Sequence, residues 1–223
     1  MGRGARLFVL CLGIACLIGC GSSSSGTANL RIFQASPDAP HVNILIDGAS
    51  TAANIVYGNN TGYLSLKSGS HHVQAVPVNA STPIFDQSIS VASSSNQTLL
   101  LTGAAASIKP VTLTDGGTTT TTGDGHVRVL NASSSMGPAD VFILPTGSSI
   151  AGAQPISAAL AFDKDTGYQL IAAGTFQVFL TAPGTTNTFV STGPINLTSG
   201  QNQTVVALDG VSGGFAYALL VDQ

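Results

Sequence analysis

Three clusters hold residue types that could do chemistry. Ser36, Asp38 and His41 combine a hydroxyl nucleophile, an acid and a base within one short stretch. A triad is defined by geometry and not by closeness in sequence. Here Pro37 and Pro40 bracket Asp38, which reads as a rigid turn between two strands. The expectation is a structural loop, with Ser36, Asp38 and His41 kept as loop candidates and no catalytic residue assigned. His71-His72 suggests a metal pair, but adjacent strand residues point to opposite faces, and histidine needs further ligands. Neither glutamate nor a cysteine beyond position 20 exists to supply them. Asp163-Lys164-Asp165-Thr166-Gly167 opens like an oxygen-rich calcium loop, yet the bidentate glutamate that would close such a loop is absent. No metal site and no cofactor is expected. The alternative reading is an enzyme or metal-dependent protein that uses His41, His71 or His126, and it requires a pocket in which a histidine meets at least two acids.

The elements that must carry these residues have strand period. Val42, Ile44 and Ile46 alternate with Asn43 and Leu45, and Asp47-Gly48 follows as a hairpin turn signal. Phe176, Val178 and Leu180 alternate in the same way with Gln177, Phe179 and Thr181. The best helical candidate, Ala151 to Ala161, is interrupted by Pro155 and is at most a short turn.

One unit recurs. Leu30-Arg31-Ile32-Phe33-Gln34-Ala35-Ser36 aligns with Val127-Arg128-Val129-Leu130-Asn131-Ala132-Ser133, and Val42-Asn43-Ile44-Leu45 with Val141-Phe142-Ile143-Leu144. Thr61-Gly62-Tyr63 returns as Thr166-Gly167-Tyr168, Gly69 as Gly174, and Asn96-Gln97-Thr98 as Asn202-Gln203-Thr204. The offset drifts from 97 to 106 residues, as loop insertions would produce. The alignment sets His71 opposite Phe176 on a core-facing position and His72 opposite Gln177 on a polar one. Arg31/Arg128 and Asp115/Asp222 are the charged residues common to both copies. Each arginine is expected to pair with an acid of its own copy. Tyr63 and Tyr168 are expected to bond backbone, as the tyrosine corners of sandwiches do.

Polar character rests on Ser, Thr, Asn and Gly, which with abundant Val, Ile and Thr favours strands over helices. Short strands punctuated by Gly, Pro and Asn, in copies of about 100 residues, point to two tandem immunoglobulin-like β-sandwiches, an all-β fold. A small barrel is the second choice.

The N-terminus carries an address. A basic, acid-free segment (residues 1–6) precedes an apolar run from Leu7 to Ile18, the pattern of a signal peptide. Twelve residues are too few for a transmembrane helix, which needs about 20. Leu17-Ile18-Gly19-Cys20 resembles the bacterial lipobox, which implies cleavage before Cys20 and lipidation of that cysteine. More than one acyl chain there, at ~0.8 kcal/mol per buried methylene, would make a lasting membrane anchor. Gly21 stands where an aspartate would mark inner-membrane retention, which leans the expectation towards the outer membrane of a two-membrane host. Processing would leave five basic residues against ten aspartates, a formal charge of −5. Such a chain lacks the clustered Lys and Arg of a nucleic-acid partner.

Arg31-Ile32-Phe33-Gln34-Ala35-Ser36-Pro37-Asp38-Ala39-Pro40 is distinctive. With Tyr57-Gly58, Gly62-Tyr63 and Gly69 it resembles domain-of-unknown-function family 4397, found on bacterial secreted and surface proteins, often in tandem and often lipidated. The second copy departs at Ser133-Ser134-Ser135-Met136-Gly137-Pro138. The resemblance implies an immunoglobulin-like fold and a surface location, and no activity.

The expected organisation is a signal peptide (1–19), a flexible tether (20–28), a first sandwich (29–115), a Gly/Thr linker (116–125) and a second sandwich (126–223). The expected role is non-catalytic, binding or structural, at the cell envelope. Its partner would be an envelope protein, with surface polysaccharide second because the chain has no Trp and four Tyr.

Overall fold

The computed structural model describes residues 1–2, 26–116 and 122–223. The expected signal peptide, Cys20, the expected tether up to residue 25 and the centre of the expected linker lie outside the described residues.

Eight strands form the first half: β1 (Thr27–Ala35), β2 (Val42–Ile46), β3 (Ala49–Ile55), β4 (Asn60–Lys67), β5 (Gly69–Pro77), β6 (Phe85–Val91), β7 (Asn96–Thr102) and β8 (Lys109–Asp115). Ten form the second: β9 (Asp124–Asn131), β10 (Ala139–Pro145), β11 (Ser157–Leu160), β12 (Lys164–Asp165), β13 (Gln169–Ala172), β14 (Gly174–Thr181), β15 (Thr188–Ser191), β16 (Ile195–Leu197), β17 (Asn202–Asp209) and β18 (Phe215–Asp222). Among the described residues the one helical turn is 3-10, at Ala105–Ser107. The stretch from Ala151 to Ala161 contains β11 and no helix. β1 begins at Thr27 with Ala28 buried, and β9 at Asp124 with Gly125 buried, so both strands reach into stretches read from sequence as tether and linker.

The strands make four sheets. Sheet A runs β4-β1-β7-β8 and faces sheet B, β3-β2-β5-β6, across a core that includes Leu30, Ile32, Val42, Ile44, Val73, Leu99 and Leu101. Sheet C, with β12 and β13 along β9 and then β17 and β18, faces sheet D, β11-β10-β14 with β15 and β16, across a second core around Val127, Val129, Val141, Phe176, Val178 and Val205. The protein is therefore two β-sandwiches. Pairing is antiparallel except where β1 runs parallel to β7 and β9 to β17. The β2–β3 hairpin turns at Asp47 and Gly48, both at positive φ (52° and 79°), the geometry of the tight turn that Asp-Gly favours.

A third apolar cluster lies between the sandwiches, where Phe33, Ala35, Leu100 and Leu113 of sheet A meet Leu130, Ala132, Val206, Leu208 and Leu220 of sheet C. Sheets A and C are thus covered on both faces, which accounts for the nearly unbroken burial of β1, β7, β9 and β17. A strand buried on both faces needs apolar residues at odd and even positions alike. Leu30-Arg31-Ile32-Phe33 and Val127-Arg128-Val129-Leu130 meet that need everywhere except at the arginine.

The register also defines two poles. β1, β7, β9 and β17 all begin at the end where Gly116 packs against the Gln223 carbonyl, and all finish at the end where Tyr57 reaches the Asp209 carbonyl. The described chain's entry at Gly26, both ends of the linker and Gln223 therefore share one pole. The β1–β2, β3–β4, β7–β8, β9–β10 and β17–β18 connections crowd the other.

Candidate functional site

Ser36, Asp38 and His41 sit at the far pole in the β1–β2 connection. Ser36 is fully buried, and its Oγ donates to Asp38 Oδ1 at 3.3 Å. The same oxygen accepts the Ala105 amide at 2.8 Å, which ties the loop to the turn after β7. His41 meets neither residue, and its Nδ1 faces Asn54 Oδ1 at 3.1 Å. The geometry is that of a locked corner. The second sandwich builds the same corner with the acid moved: Ser133, Ser134 and Ser135 direct three hydroxyls and two amides onto Asp209 at the end of β17. Burial raises the Asp209 pKa, but the three serine hydroxyls outweigh it and hold the carboxyl below the usual range. The acid missing opposite Asp38 is thus supplied by another strand.

His71 is half-buried and His72 exposed, on opposite faces of β5. His71 Nδ1 meets Asp47 Oδ2 and Nε2 meets the Lys67 carbonyl, each at 2.7 Å. Both partners are acceptors, so both ring nitrogens must donate, and the hydrogen bonds to Asp47 and Lys67 raise the His71 pKa. Asp47 is lowered in turn, chiefly by His71. His72 pairs with Asp86 instead. His126 is buried at the start of β9, its ring edge-on to Tyr168 with centroids 6.2 Å apart. His41, His71 and His126 thus stand on different elements with different partners. Among the described residues no three His, Cys, Asp or Glu side chains gather as metal ligands. Asp163 to Gly167 forms a tight turn in which Asp165 accepts the Gly167 amide at 2.8 Å, as Asn60 accepts that of Gly62 in the first copy.

The charged residues shared by both copies come together in the seam between sheets A and C. Arg31 Nη2 donates to Asp222 Oδ1 at 2.5 Å, and Arg128 Nη2 to Asp115 Oδ1 at 2.6 Å. The acid of each arginine's own sandwich is farther, at 3.5 Å for Arg31–Asp115 and 3.6 Å for Arg128–Asp222. Each arginine thus pairs with the acid of its own copy, as expected from sequence, and more closely with that of the other copy. The reason is the approximate two-fold relation of the seam, in which a contact from one copy to the other is made twice. Most of the further bonds are mirrored, although Arg128 Nη2 also donates to Thr204 without an equivalent at Arg31. The Nε atoms of Arg31 and Arg128 donate to Thr98 and Thr204 (2.9 and 3.1 Å), and their Nη1 atoms to the carbonyls of Val221 and Thr114 (both 2.9 Å). Thr98 donates to Asp115, and Thr204 to Asp222 at 2.6 Å.

Tyr63 and Tyr168 close the group. Their hydroxyls donate to Asp115 Oδ2 (2.8 Å) and Asp222 Oδ2 (2.7 Å), and their rings lie under Arg31 and Arg128. They bond carboxylates and not the backbone expected of a tyrosine corner, although Tyr168 also accepts the Gly116 amide at 3.3 Å. Burial, foremost, and the neighbouring carboxylates push both phenols well above their ordinary pKa. Tyr57, pushed up to about 12 by burial and then by Asp209, adds a bond across the seam at 2.9 Å. The two arginines and two aspartates balance in charge, and their side chains are at most 4% exposed. The chemistry available to this group is structural, since every charge has a partner inside it.

Sandwich 2 also carries a cleft of about 560 Å³ on the outer face of sheet D, floored by Asp140 and Phe142 and walled by the loops before β11 and after β14.

Two sandwiches joined along a buried ionic seam define a class, a tandem β-sandwich protein with no metal cluster among its described residues. The model of the family described as Domain of unknown function (DUF4397) matches residues 28–142, just over half the chain, and the chain belongs to that family. The match covers the first sandwich and continues through β9 into β10. No curated protein matches significantly. Among solved structures, a family 26 carbohydrate-binding module from Eubacterium rectale Amy13K, in complex with maltoheptaose, is 11% identical over 86% of this chain and 96% of its own, with a TM-score of 0.27. The Bacillus anthracis TIE protein is 11% identical over 88% of this chain, with a TM-score of 0.26, and the chain spans 44% of its length. Likeness at these scores has no bearing on function.

Proposed function

We propose that this is an exported, lipid-anchored protein of the cell envelope that holds two β-sandwiches as one rigid, non-catalytic module for binding a partner. The observation that carries this reading is the seam: the ionisable residues common to both copies are spent joining the sandwiches. The anchor rests on Leu17-Ile18-Gly19-Cys20 and the segment before it. With lipid on Cys20, the pole holding Gly26 would face the membrane and the far pole would face outward. A binding role then falls to loops such as 36–41 and 210–214. A protein partner comes first and a surface polysaccharide second.

Two experiments test this. Cys20→Ala should move the protein from the membrane fraction to the soluble exported fraction, and a variant that stays membrane-bound would overturn the anchor. Immobilised residues 26–223, which hold every described strand, should retain an envelope component by mass spectrometry. Replacing the far-pole loops by glycine and serine should abolish retention. Retention unchanged by that replacement would place binding elsewhere.

A further inference from the structure

The cleft on sheet D is lined by a segment that sandwich 1 lacks, and its construction is local. In sandwich 1, β2 turns directly into β3 at Asp47-Gly48, and β3 runs for seven residues. In sandwich 2 the hairpin is opened by residues 146–156, and β11 is cut to four residues. Ala139, Val141 and Ile143 face the core, so Asp140 and Phe142 point to the outer face. Phe142 is nonetheless only 5% exposed, because the inserted segment folds back beside it. The aligned residue in sandwich 1 is the polar Asn43, which accepts the Asn54 amide.

Asp140 fastens β11 and the loop after β14. Its Oδ1 accepts the Ala159 amide at 2.8 Å and its Oδ2 the Gly184 amide at 2.7 Å. Ala159 is held at φ 48°, a conformation that a non-glycine residue keeps only when its surroundings impose it. This anchorage fixes the strand and the loop that border the cleft.

The lining selects a chemistry. No lysine or arginine borders the cleft, and its one charge, Asp140, is 6% exposed and engaged by two amides. The side chains of Gln154, Thr186 and Asn187 line it and make no hydrogen bond to other described residues. Carboxamides and hydroxyls both donate and accept. Ile150 and Pro155 supply apolar surface between them, over the buried ring of Phe142. The volume lies within the ~300–1,000 Å³ of small-molecule sites. A ligand matching this is uncharged, rich in hydroxyls, and apolar on its ring faces. We infer that the cleft binds a neutral oligosaccharide, and that this is a property of sandwich 2 alone. The inference deepens the binding role proposed above by naming a ligand class, and a protein partner captured by the far-pole loops would survive its failure. With no tryptophan to stack on a sugar ring, the affinity is weak.

The test is a titration of residues 26–223 with short oligomers of glucose, galactose and N-acetylglucosamine, followed by amide chemical shifts. The expected result is saturable binding of at least one oligomer, with shifts centred on residues 150–155 and 184–187. Gln154→Ala with Asn187→Ala should weaken it about tenfold or more, the scale of one or two lost hydrogen bonds, without lowering the melting temperature. Ser88→Ala, on the outer face of sandwich 1, should leave it unchanged. No saturable shift from any of the three oligomers, on protein shown to be folded, would overturn the inference. So would binding indifferent to the double substitution.

Discussion

At the scale of single residues, the strongest claim concerns Arg31, Arg128, Asp115 and Asp222. Removing one member of a buried pair strands a charge and costs about 3–5 kcal/mol. Arg31→Met should therefore lower unfolding stability by that amount in a urea titration, and a loss of under ~1 kcal/mol would show the seam to be hydrated. Tyr63→Phe and Tyr168→Phe each remove one hydroxyl donor from a carboxylate that keeps others. Each should cost about 1–2 kcal/mol, seen as a lower midpoint with an unchanged slope. The His71–Asp47 clasp should show itself in pH dependence. The His71 pKa is raised above 6.5, so its contribution is full below that value and fades as pH rises through the folded one. The Asp47 pKa is lowered below 3.8, so its contribution is present above 3.8 and lost as pH falls through the folded value. The melting difference between wild type and His71→Gln should peak between these limits. A difference constant from acid to alkaline pH would mean the pair is not ionic.

At the scale of elements, the two copies handle the same positions differently. β8 and β18 are matching edge strands. β8 carries Lys109 and Pro110, which discourage pairing with a stray strand. β18 reads Phe-Ala-Tyr-Ala-Leu-Leu-Val-Asp and exposes Tyr217, Leu219 and Val221. Where β18 has Leu219 and Val221, β8 has Thr112 and Thr114. Leu219→Lys with Val221→Thr should reduce concentration-dependent association in light scattering, and should shift stability by no more than about 0.5 kcal/mol. The turn between β11 and β12 offers a stabilising change. Asp163 has one carboxylate oxygen buried without a partner and lies at φ 60°. Burial, opposed by Thr102 and two lysines, raises its pKa above 3.8. Its ionised form is therefore disfavoured in the fold, and stability falls as pH climbs through the raised value. Asp163→Asn tolerates the same φ and should raise the melting temperature at neutral pH. The gain should vanish below 3.8, where the aspartate is protonated whether folded or not.

At the scale of the whole molecule, the seam makes two sandwiches behave as one body. Tandem domains joined by a Gly/Thr linker would be free to unfold separately. Here a neutral four-charge group sits at the end of the seam near Gly116, an apolar cluster extends from it towards the far pole, and Tyr57 adds a bond there. A single cooperative transition is expected by calorimetry for residues 26–223. Replacing Arg31 and Arg128 together by Met should split it into two. One transition in the double variant, or two in the wild type, would show that the ion pairs do not couple the sandwiches.

Much of this was legible in the chain itself. Alternation in Val42–Ile46 and Phe176–Leu180 marked strands because side chains on a strand alternate with period two. Five ordered matches marked the repeat, because a duplicated unit keeps its turn and core residues while its loops drift. The address proposed at Leu17–Cys20 rests on a local pattern, read without reference to the fold. The closer partner of Arg31 was of another kind. Own-copy and crossed pairing leave the same residues at the same positions, and only the docking of sheet A on sheet C decides between them. The unbroken apolar runs around Arg31 and Arg128 were a readable sign that both faces are covered, and hence that the arginines are buried. The corner acid at Asp209 and the cleft under residues 150–155 had no such sign. Each depends on segments far apart in sequence that meet only after the sheets have stacked, and a one-dimensional pattern records who is adjacent in the chain, not who is adjacent in space.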